Sequence, residues 1–131
     1  MDVRVTELRK SYGPTKALDS VTVTFQGGSV HTVLGENGSG KSTLIKSLSG
    51  VSVPDGGSIV VDGSPVRTFS PRAAQGHGVQ TVFQEILTAP NRSITENVFL
   101  GYHGYLRFRS PRTEQERRTR ELFAELGAPE V

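Results

Sequence analysis

Over much of the first sixty residues, apolar and polar positions alternate in short runs, and that period predicts strands. Val3, Val5 and Leu8 alternate with Arg4, Thr6 and Glu7, and Val21, Val23 and Phe25 repeat the pattern before Gly27 and Gly28. Residues 9–15 between them are rich in turn formers and read as a loop. Residues 29–34, with β-branched Val30, Thr32 and Val33, predict a short buried strand. The period then changes. Leu44, Ile45 and Leu48 fall at helical spacing. Residues 58–63 predict a strand ending on the Asp62-Gly63 dipeptide, a strong hairpin signal. Ser70 before Pro71 opens a short helix that Gly76, His77 and Gly78 close. Residues 79–83 predict a further strand that delivers Gln84 and Glu85 at its C-terminal end. Ser93 and Glu96 stand at capping-box spacing and start a helix through Leu100, with Ile94, Val98 and Phe99 on one face. Residues 101–108 are irregular and carry Tyr102, Tyr105 and Phe108, either a docking surface or a loop folded on its own aromatics. Ser110 and Pro111 begin a last helix, with Leu122, Phe123 and Leu126 facing inward and Gly127 and Pro129 ending it. Strands interleaved with helices give an α/β class.

Composition narrows the classes further. A chain of 131 residues with 34% hydrophobic and 21% charged positions fits one modest domain and neither a disordered segment nor a membrane span. The N-terminus runs straight into strand-like alternation, without a basic-then-apolar leader. With no cysteine, disulfides and thiolate metal sites are excluded. Net charge is only +2, yet six of the fifteen Lys and Arg residues fall between Arg107 and Arg120. Glu114, Glu116, Glu121 and Glu125 are interleaved with them, and Glu116/Arg120 and Arg117/Glu121 are four apart. That spacing reads as a solvated helix face laced by ion pairs, and no nucleic-acid partner is expected.

The sharpest chemistry lies between the third strand and the first helix. Gly35, Glu36, Asn37, Gly38, Ser39, Gly40, Lys41 and Ser42 satisfy the phosphate-binding loop G-x-x-x-x-G-K-[ST] at every specified position. Glycine lets the backbone turn its N–H groups inward and approach a ligand closely, and the helix start that follows favours an anion. Lys41 supplies an ammonium for β- and γ-phosphates, and Ser42 a hydroxyl for Mg²⁺. Strand, loop and helix in that order point to nucleotide binding.

Four other residues have two readings each. Tyr12, on a loop, either stacks on a nucleobase or packs its own turn. Asp62 follows three apolar residues, as a Mg²⁺-holding carboxylate at a strand end would, but Gly63 after it favours the hairpin. Gln84 at a strand end could reach the metal or an attacking water through its amide oxygen, or be an ordinary polar strand terminus. His77 between two glycines reads as a surface turn residue rather than a proton carrier. Two strands precede the phosphate loop and no Asn-Lys-x-Asp segment occurs, which disfavours a self-contained P-loop kinase or GTPase. A non-catalytic interaction module using the loop only for structure is a third class, separated by whether ATP·Mg²⁺ binds.

Taken together, these residues resemble the ATP-binding subunit of ABC transporters, within it the bacterial sugar importers of the ribose and xylose type. The resemblance is carried by Tyr12 and Gly13 with Ala17, Leu18 and Asp19, by the run from Gly35 to Leu44, and by Leu48, Ser49, Gly50 and Val51. It continues through residues 54–57, Asp62 and Gly63, residues 70–74, Val82 to Glu85, Ser93 to Gly101, and Glu125 to Gly127. It implies a P-loop NTPase fold of the ABC type, with an N-terminal antiparallel β subdomain and phosphate-loop core over residues 1–90 and the start of a helical subdomain over 91–131. It also implies ATP and Mg²⁺ as cofactors. Tyr12 looks like the adenine-stacking aromatic, and residues 35–43, Thr43 included, look like the phosphate contacts. Lys41 and Gln84 look like the catalytic contacts, with Ser42 and Gln84 at the metal. The implied function is that of the ATPase component of a sugar importer, peripheral on the cytoplasmic face of the cell membrane. Its implied partners are a transmembrane permease, a second nucleotide-binding domain and, indirectly, a periplasmic or lipid-anchored sugar-binding protein.

The pattern also departs from the family's. The Leu-Ser-Gly-Gly-Gln signature, the Walker B carboxylate, the water-polarising Glu and the switch His are missing, and Leu48-Ser49-Gly50 directly after the loop helix is in the wrong place for the signature. The expectation is a fragment, the first part of a first nucleotide-binding domain truncated before those motifs, inactive as an ATPase alone and prone to self-association.

Overall fold

The alternating N-terminal residues form longer strands than their pattern suggests. In the computed structural model, which describes residues 1–82, 88–100 and 111–128, β1 runs Val3–Tyr12 and β2 runs Thr15–Phe25. They pair antiparallel from Val3 opposite Phe25 out to Tyr12 opposite Thr15. Residues 9–15 are therefore not a loop. The hairpin closes at Gly13 and Pro14, with Gly13 at φ 57, a region glycine enters without steric cost. β3 (Gly56–Val61) lies along the other side of β1, and β4 (Ser64–Pro65) pairs with β3, giving the antiparallel order β2-β1-β3-β4. Asp62 and Gly63 form the β3–β4 turn, as the hairpin reading expects. The Asp62 carboxylate accepts the Asp2 N–H at 2.6 Å, which ties it to the N-terminus of β1 rather than to a metal role.

The alternation of β1 breaks in its middle for a structural reason. Glu7 sits at φ 47, and the register of β1 shifts there against both neighbours. One extra residue in a strand flips every later side chain to the other face. Leu8, Lys10 and Tyr12 thus continue the face that Val3 and Val5 began. Val5 and Leu8 are both fully buried, and the Glu7 N–H turns to the Thr22 hydroxyl at 2.9 Å.

The core gathers on that face. Val3, Val5, Leu8, Leu18, Ile59 and Val61 from the sheet cluster with Leu44 of α1 (Lys41–Leu48). Each such side chain contributes about 1.5–3 kcal/mol by burial. α2 (Pro71–Gly76) starts as its sequence predicts, with the Ala73 N–H donating to Ser70 Oγ at 3.2 Å. Beside the core lies a cavity of about 240 Å³ with mainly apolar walls, among them Val33, Leu48, Val66 and Phe69.

Two predicted strands do not form. Residues 29–34 and 79–82 carry no strand, with Val30 98%, Leu34 86% and Val82 97% exposed. β-branched composition favours extended backbone, but a strand exists only where a neighbour accepts its hydrogen bonds. Among the described residues no strand pairs with either segment, and the Val79 N–H donates instead to the Ala74 carbonyl of α2 at 2.9 Å. Phe83, the last residue of the second expected strand, lies outside the described residues, as does Gln84.

The chain divides into two units, Met1–Val82 and Phe83–Val131. In the second, α3 (Ile94–Val98) opens on a complete capping box: Glu96 N–H donates to Ser93 Oγ at 3.2 Å, and Ser93 N–H to Glu96 Oε2 at 2.9 Å. Of the expected inward face of α4 (Arg112–Glu125), only Phe123 is half-buried. Leu126 is 80% exposed and Leu122 is also exposed, while Thr119 is buried and donates to the Gln115 carbonyl at 2.9 Å. Its charges behave as the spacing predicts, with Arg117 bonded to both Glu114 and Glu121, although Glu116 pairs with Arg112 at 3.0 Å instead of Arg120. These bonds push the Arg117 guanidinium above its ordinary pKa. Residues 101–110, with Tyr102, Tyr105 and Phe108, and Pro129 lie outside the described residues.

Candidate nucleotide-binding site

The phosphate loop is fixed to the sheet at its C-terminal limb. Gly40 takes the N-cap of α1 at φ 90, and a Cβ there would stand 2.3 Å from the Ala17 carbonyl oxygen of β2 and 3.0 Å from Leu18 Cδ2. Only a residue without a side chain lets loop and strand meet so closely. Leu44 N–H then donates to the Gly40 carbonyl at 2.9 Å and starts the helix, while Ser39 N–H donates to the Glu36 carbonyl at 3.2 Å and closes the loop.

The start of α1 suits an anion. No side chain caps it and no acidic residue lies in its first turn, so its N-terminal N–H groups and the positive end of its dipole face outward uncompensated by carboxylate. Lys41 lies across the loop, its Nζ donating to the Gly35 carbonyl at 2.7 Å, the Glu36 carbonyl at 2.7 Å and Ser39 Oγ at 3.4 Å. The ammonium thereby joins the entering and leaving limbs of the turn. Ser42 is exposed at the helix start, with Thr43 next to it and Asn37 and Gly38 on the loop's outer rim. Among the described residues no group of three His, Cys, Asp or Glu side chains could hold a metal.

Tyr12 stands at the end of β1, on a strand rather than a free loop, half exposed at 50%. Its hydroxyl is 3.1 Å from Ser52 Oγ, and the Ser52 N–H donates to the Lys46 carbonyl of α1 at 3.0 Å. The ring is thus tied to the far end of the helix that begins at the phosphate loop. Lys10 Nζ sits 5.5 Å from the ring centroid and is paired with Asp55 Oδ1 at 2.9 Å. The Asp55 carboxylate also accepts the Ser11 N–H at 2.7 Å. The Lys10 bond first, then the Ser11 N–H, hold the Asp55 carboxyl below its usual range.

Residues 35–43 and Tyr12 therefore fall in one unit, joined through β2 and α1, whereas Gln84 lies outside the described residues. The supports at Lys10, Ser52 and Asp55 escape a sequence reading that ends β1 at Leu8. Had the strand been continued to Tyr12, the i, i+2 spacing of Lys10 and Tyr12 would have placed both on one face.

The chain is similar to known proteins in sequence and in fold. The chain is 41% identical over 127 residues to the ribose import ATP-binding protein RbsA of Ruegeria sp. (strain TM1040), covering 96% of this chain and 25% of that protein. It is 40% identical over 116 residues to the arabinose import ATP-binding protein AraG of Chromohalobacter salexigens, covering 88% of this chain and 23% of the relative. It thus spans about a quarter of the length of these relatives. Among solved structures, cbiO1 from Clostridium perfringens, part of the ABC transporter complex cbiONQ, superposes with a TM-score of 0.69 at 26% identity, over 98% of this chain and 51% of that one. The fold is accordingly the α/β nucleotide-binding fold of ABC transporters, with its antiparallel β subdomain formed by β1–β4. The model of the ABC transporter family matches from Leu18 of β2 to the last residue, 18–131, and on that match the chain belongs to the ABC transporter family.

Proposed function

We propose that residues 35–43 with Tyr12 bind ATP·Mg²⁺ and that the protein containing them is the ATPase component of a sugar importer. The observation that carries the binding reading is the loop itself: an uncapped helix start, a glycine seated on a backbone carbonyl, and an ammonium within the turn. In this reading the loop N–H groups cradle the α- and β-phosphates. Lys41 exchanges its bonds to the Gly35 and Glu36 carbonyls for β- and γ-phosphate oxygens. Ser42 directs its hydroxyl at the cation, Thr43 adds a phosphate contact, and Tyr12 stacks on the base. When bound, Mg²⁺ neutralises charge that develops between the β- and γ-phosphates. Gln84 is proposed as the residue that reaches the metal and couples the site to a membrane subunit.

The sugar-import reading rests on the names of the relatives, ribose and arabinose import ATP-binding proteins, which favour transport over a self-contained kinase or GTPase. The proposed partners are a transmembrane permease, a second nucleotide-binding domain and, indirectly, a sugar-binding protein. No helix among the described residues is long and apolar enough to cross a membrane. The proposal places the protein peripherally, on the cytoplasmic face of the membrane, as the likeness to import ATP-binding proteins suggests. The chain spans about a quarter of the length of these relatives, and in this reading it should by itself bind nucleotide weakly and turn it over at background rate. Isothermal titration with ATP·Mg²⁺, with Lys41→Ala as control, tests the binding. Equal heats from both proteins would refute the loop's role, and robust Lys41-dependent hydrolysis would refute the incomplete-site reading.

A further inference from the structure

The end of the β1–β2 hairpin is more heavily built than a surface turn requires. Two groups hold Tyr12 directly, the Ser52 hydroxyl at its phenol oxygen and the Lys10 ammonium against its ring, and Asp55 supports them from behind by fixing both Lys10 Nζ and the backbone N–H of Ser11. Asp55 is itself tied back, its N–H donating to the Arg9 carbonyl at 2.8 Å. The Lys10 side chain is only 16% exposed, against 69% for Lys16 across the same hairpin, so its ammonium is held rather than free in solvent.

We infer that Lys10 and Asp55 are positioning residues for the base subsite, holding the Tyr12 ring with one face against the ammonium so that the other face is presented to a purine.

The inference rests on the proposed stacking of Tyr12 on the base. Its physical content is pre-organisation. An exposed tyrosine on a hairpin end has several rotamers, and a ligand that stacks on one of them must select it. The ammonium within cation–π range and the hydroxyl bond at the other end of the ring leave one orientation. A cation on one face also draws π density toward itself, which eases stacking of an electron-rich purine on the other. Through Ser52 and the Lys46 carbonyl, the ring is referenced to the same helix that starts at the phosphate loop. Base and phosphate subsites are therefore held at a fixed offset.

The test compares ATP·Mg²⁺ with tripolyphosphate·Mg²⁺, a ligand with the phosphates but no base, by isothermal titration on the chain and its variants. Tyr12→Ala is expected to weaken ATP about tenfold, the usual scale of one lost base stack, and to leave tripolyphosphate unchanged. Asp55→Asn and Lys10→Met are each expected to weaken ATP about threefold with tripolyphosphate unchanged, as befits the loss of one exposed cation–π support. Lys10→Arg, which keeps a cation over the ring, should retain the ATP preference. A merely structural role would move both ligands together. If Tyr12→Ala shifts the ratio while Asp55→Asn and Lys10→Met do not, the positioning inference is overturned and the base-stacking reading stands. If Tyr12→Ala leaves the ratio unchanged, both fall. Should Asp55→Asn fail to fold, Lys10→Met against Lys10→Arg decides the question alone.

Discussion

Gly38 and Gly40 offer a matched pair for testing how the phosphate loop is held. Both sit at left-handed dihedrals, φ 88 and φ 90, so an added Cβ costs each about 1–2 kcal/mol of backbone strain. Their surroundings differ. A Cβ on Gly38 meets nothing within 4 Å, whereas one on Gly40 lands 2.3 Å from the Ala17 carbonyl oxygen. Ala17 has no partner of its own where the β1–β2 register shifts, but it lies between the paired Lys16 and Leu18, so its carbonyl cannot swing away as a flexible side chain can, and β2 and the loop must part. Overpacking of that kind adds about 1–3 kcal/mol. Gly38→Ala should therefore destabilise by about 1–2 kcal/mol and Gly40→Ala by about 2–5 kcal/mol. For a chain of this size 1 kcal/mol moves the melting temperature by about 4 °C, giving drops of about 4–8 °C and about 8–20 °C. Circular dichroism melts of both variants supply the comparison. Equal shifts would show that dihedral strain alone matters and that the contact between loop and β2 carries no stability.

Three further outcomes follow from other parts of the molecule. The Asp55 carboxyl is lowered chiefly by Lys10 and that of Glu96 chiefly by the Ser93 N–H, both below their ordinary values of 3.8 and 4.5. Their contributions are complete above those values and vanish as pH falls through the lowered ones, so melting temperature should drop on acidification below about pH 4.5, with a shallower acid limb in Asp55→Asn. A limb of unchanged slope in that variant would contradict the assignment. Without nucleotide, Lys41→Ala should speed hydrogen exchange at the Ser39 amide, because the ammonium no longer joins the Gly35 and Glu36 carbonyls, while the Leu44 amide stays protected; unchanged Ser39 exchange would count against the bridge. Val30, Leu34 and Val82 lie open on segments that join no sheet among the described residues, so sedimentation of the isolated chain should show concentration-dependent association, and a stable monomer at high concentration would oppose this.

How much of this could be read from the residues depends on how local each feature is. The phosphate loop, the Ser93–Glu96 capping box and the Asp62–Gly63 turn involve neighbours within eight positions, and their chemistry is stated in the order of the residues themselves. The length of β1 is not local. Alternation stops at Glu7 because a bulge inserts one residue there, and a reading by period ends the strand where the period ends. The spacing of Val3, Val5 and Leu8, two then three, was the available sign of it. The strands expected at 29–34 and 79–83 fail for the opposite reason, no strand forming over 29–34 or 79–82. Their composition is right, but pairing is a property of two segments, and composition describes only one. On α4, likewise, the apolar period was present, yet Leu122 and Leu126 face solvent while Thr119 is buried.

These two kinds of error meet at the phosphate loop. Its leaving limb is secured by tertiary contacts, Gly40 on Ala17 and Leu44 in the core, while its entering limb, residues 29–34, has no ladder among the described residues. A loop anchored at one end would not hold its N–H groups in register unless something joined the two limbs. Lys41 does so, with two carbonyl bonds at 2.7 Å to Gly35 and Glu36 from a residue that already belongs to the helix. In the proposed site the same ammonium would serve a triphosphate, so binding exchanges one set of oxygen partners for another rather than ordering a free side chain. The side-chain entropy that immobilising a lysine otherwise costs, up to about 2 kcal/mol, is then largely met before the ligand arrives. On that account affinity depends on how well phosphate oxygens replace the two carbonyls, and the geometry of the loop matters as much as the charge of Lys41.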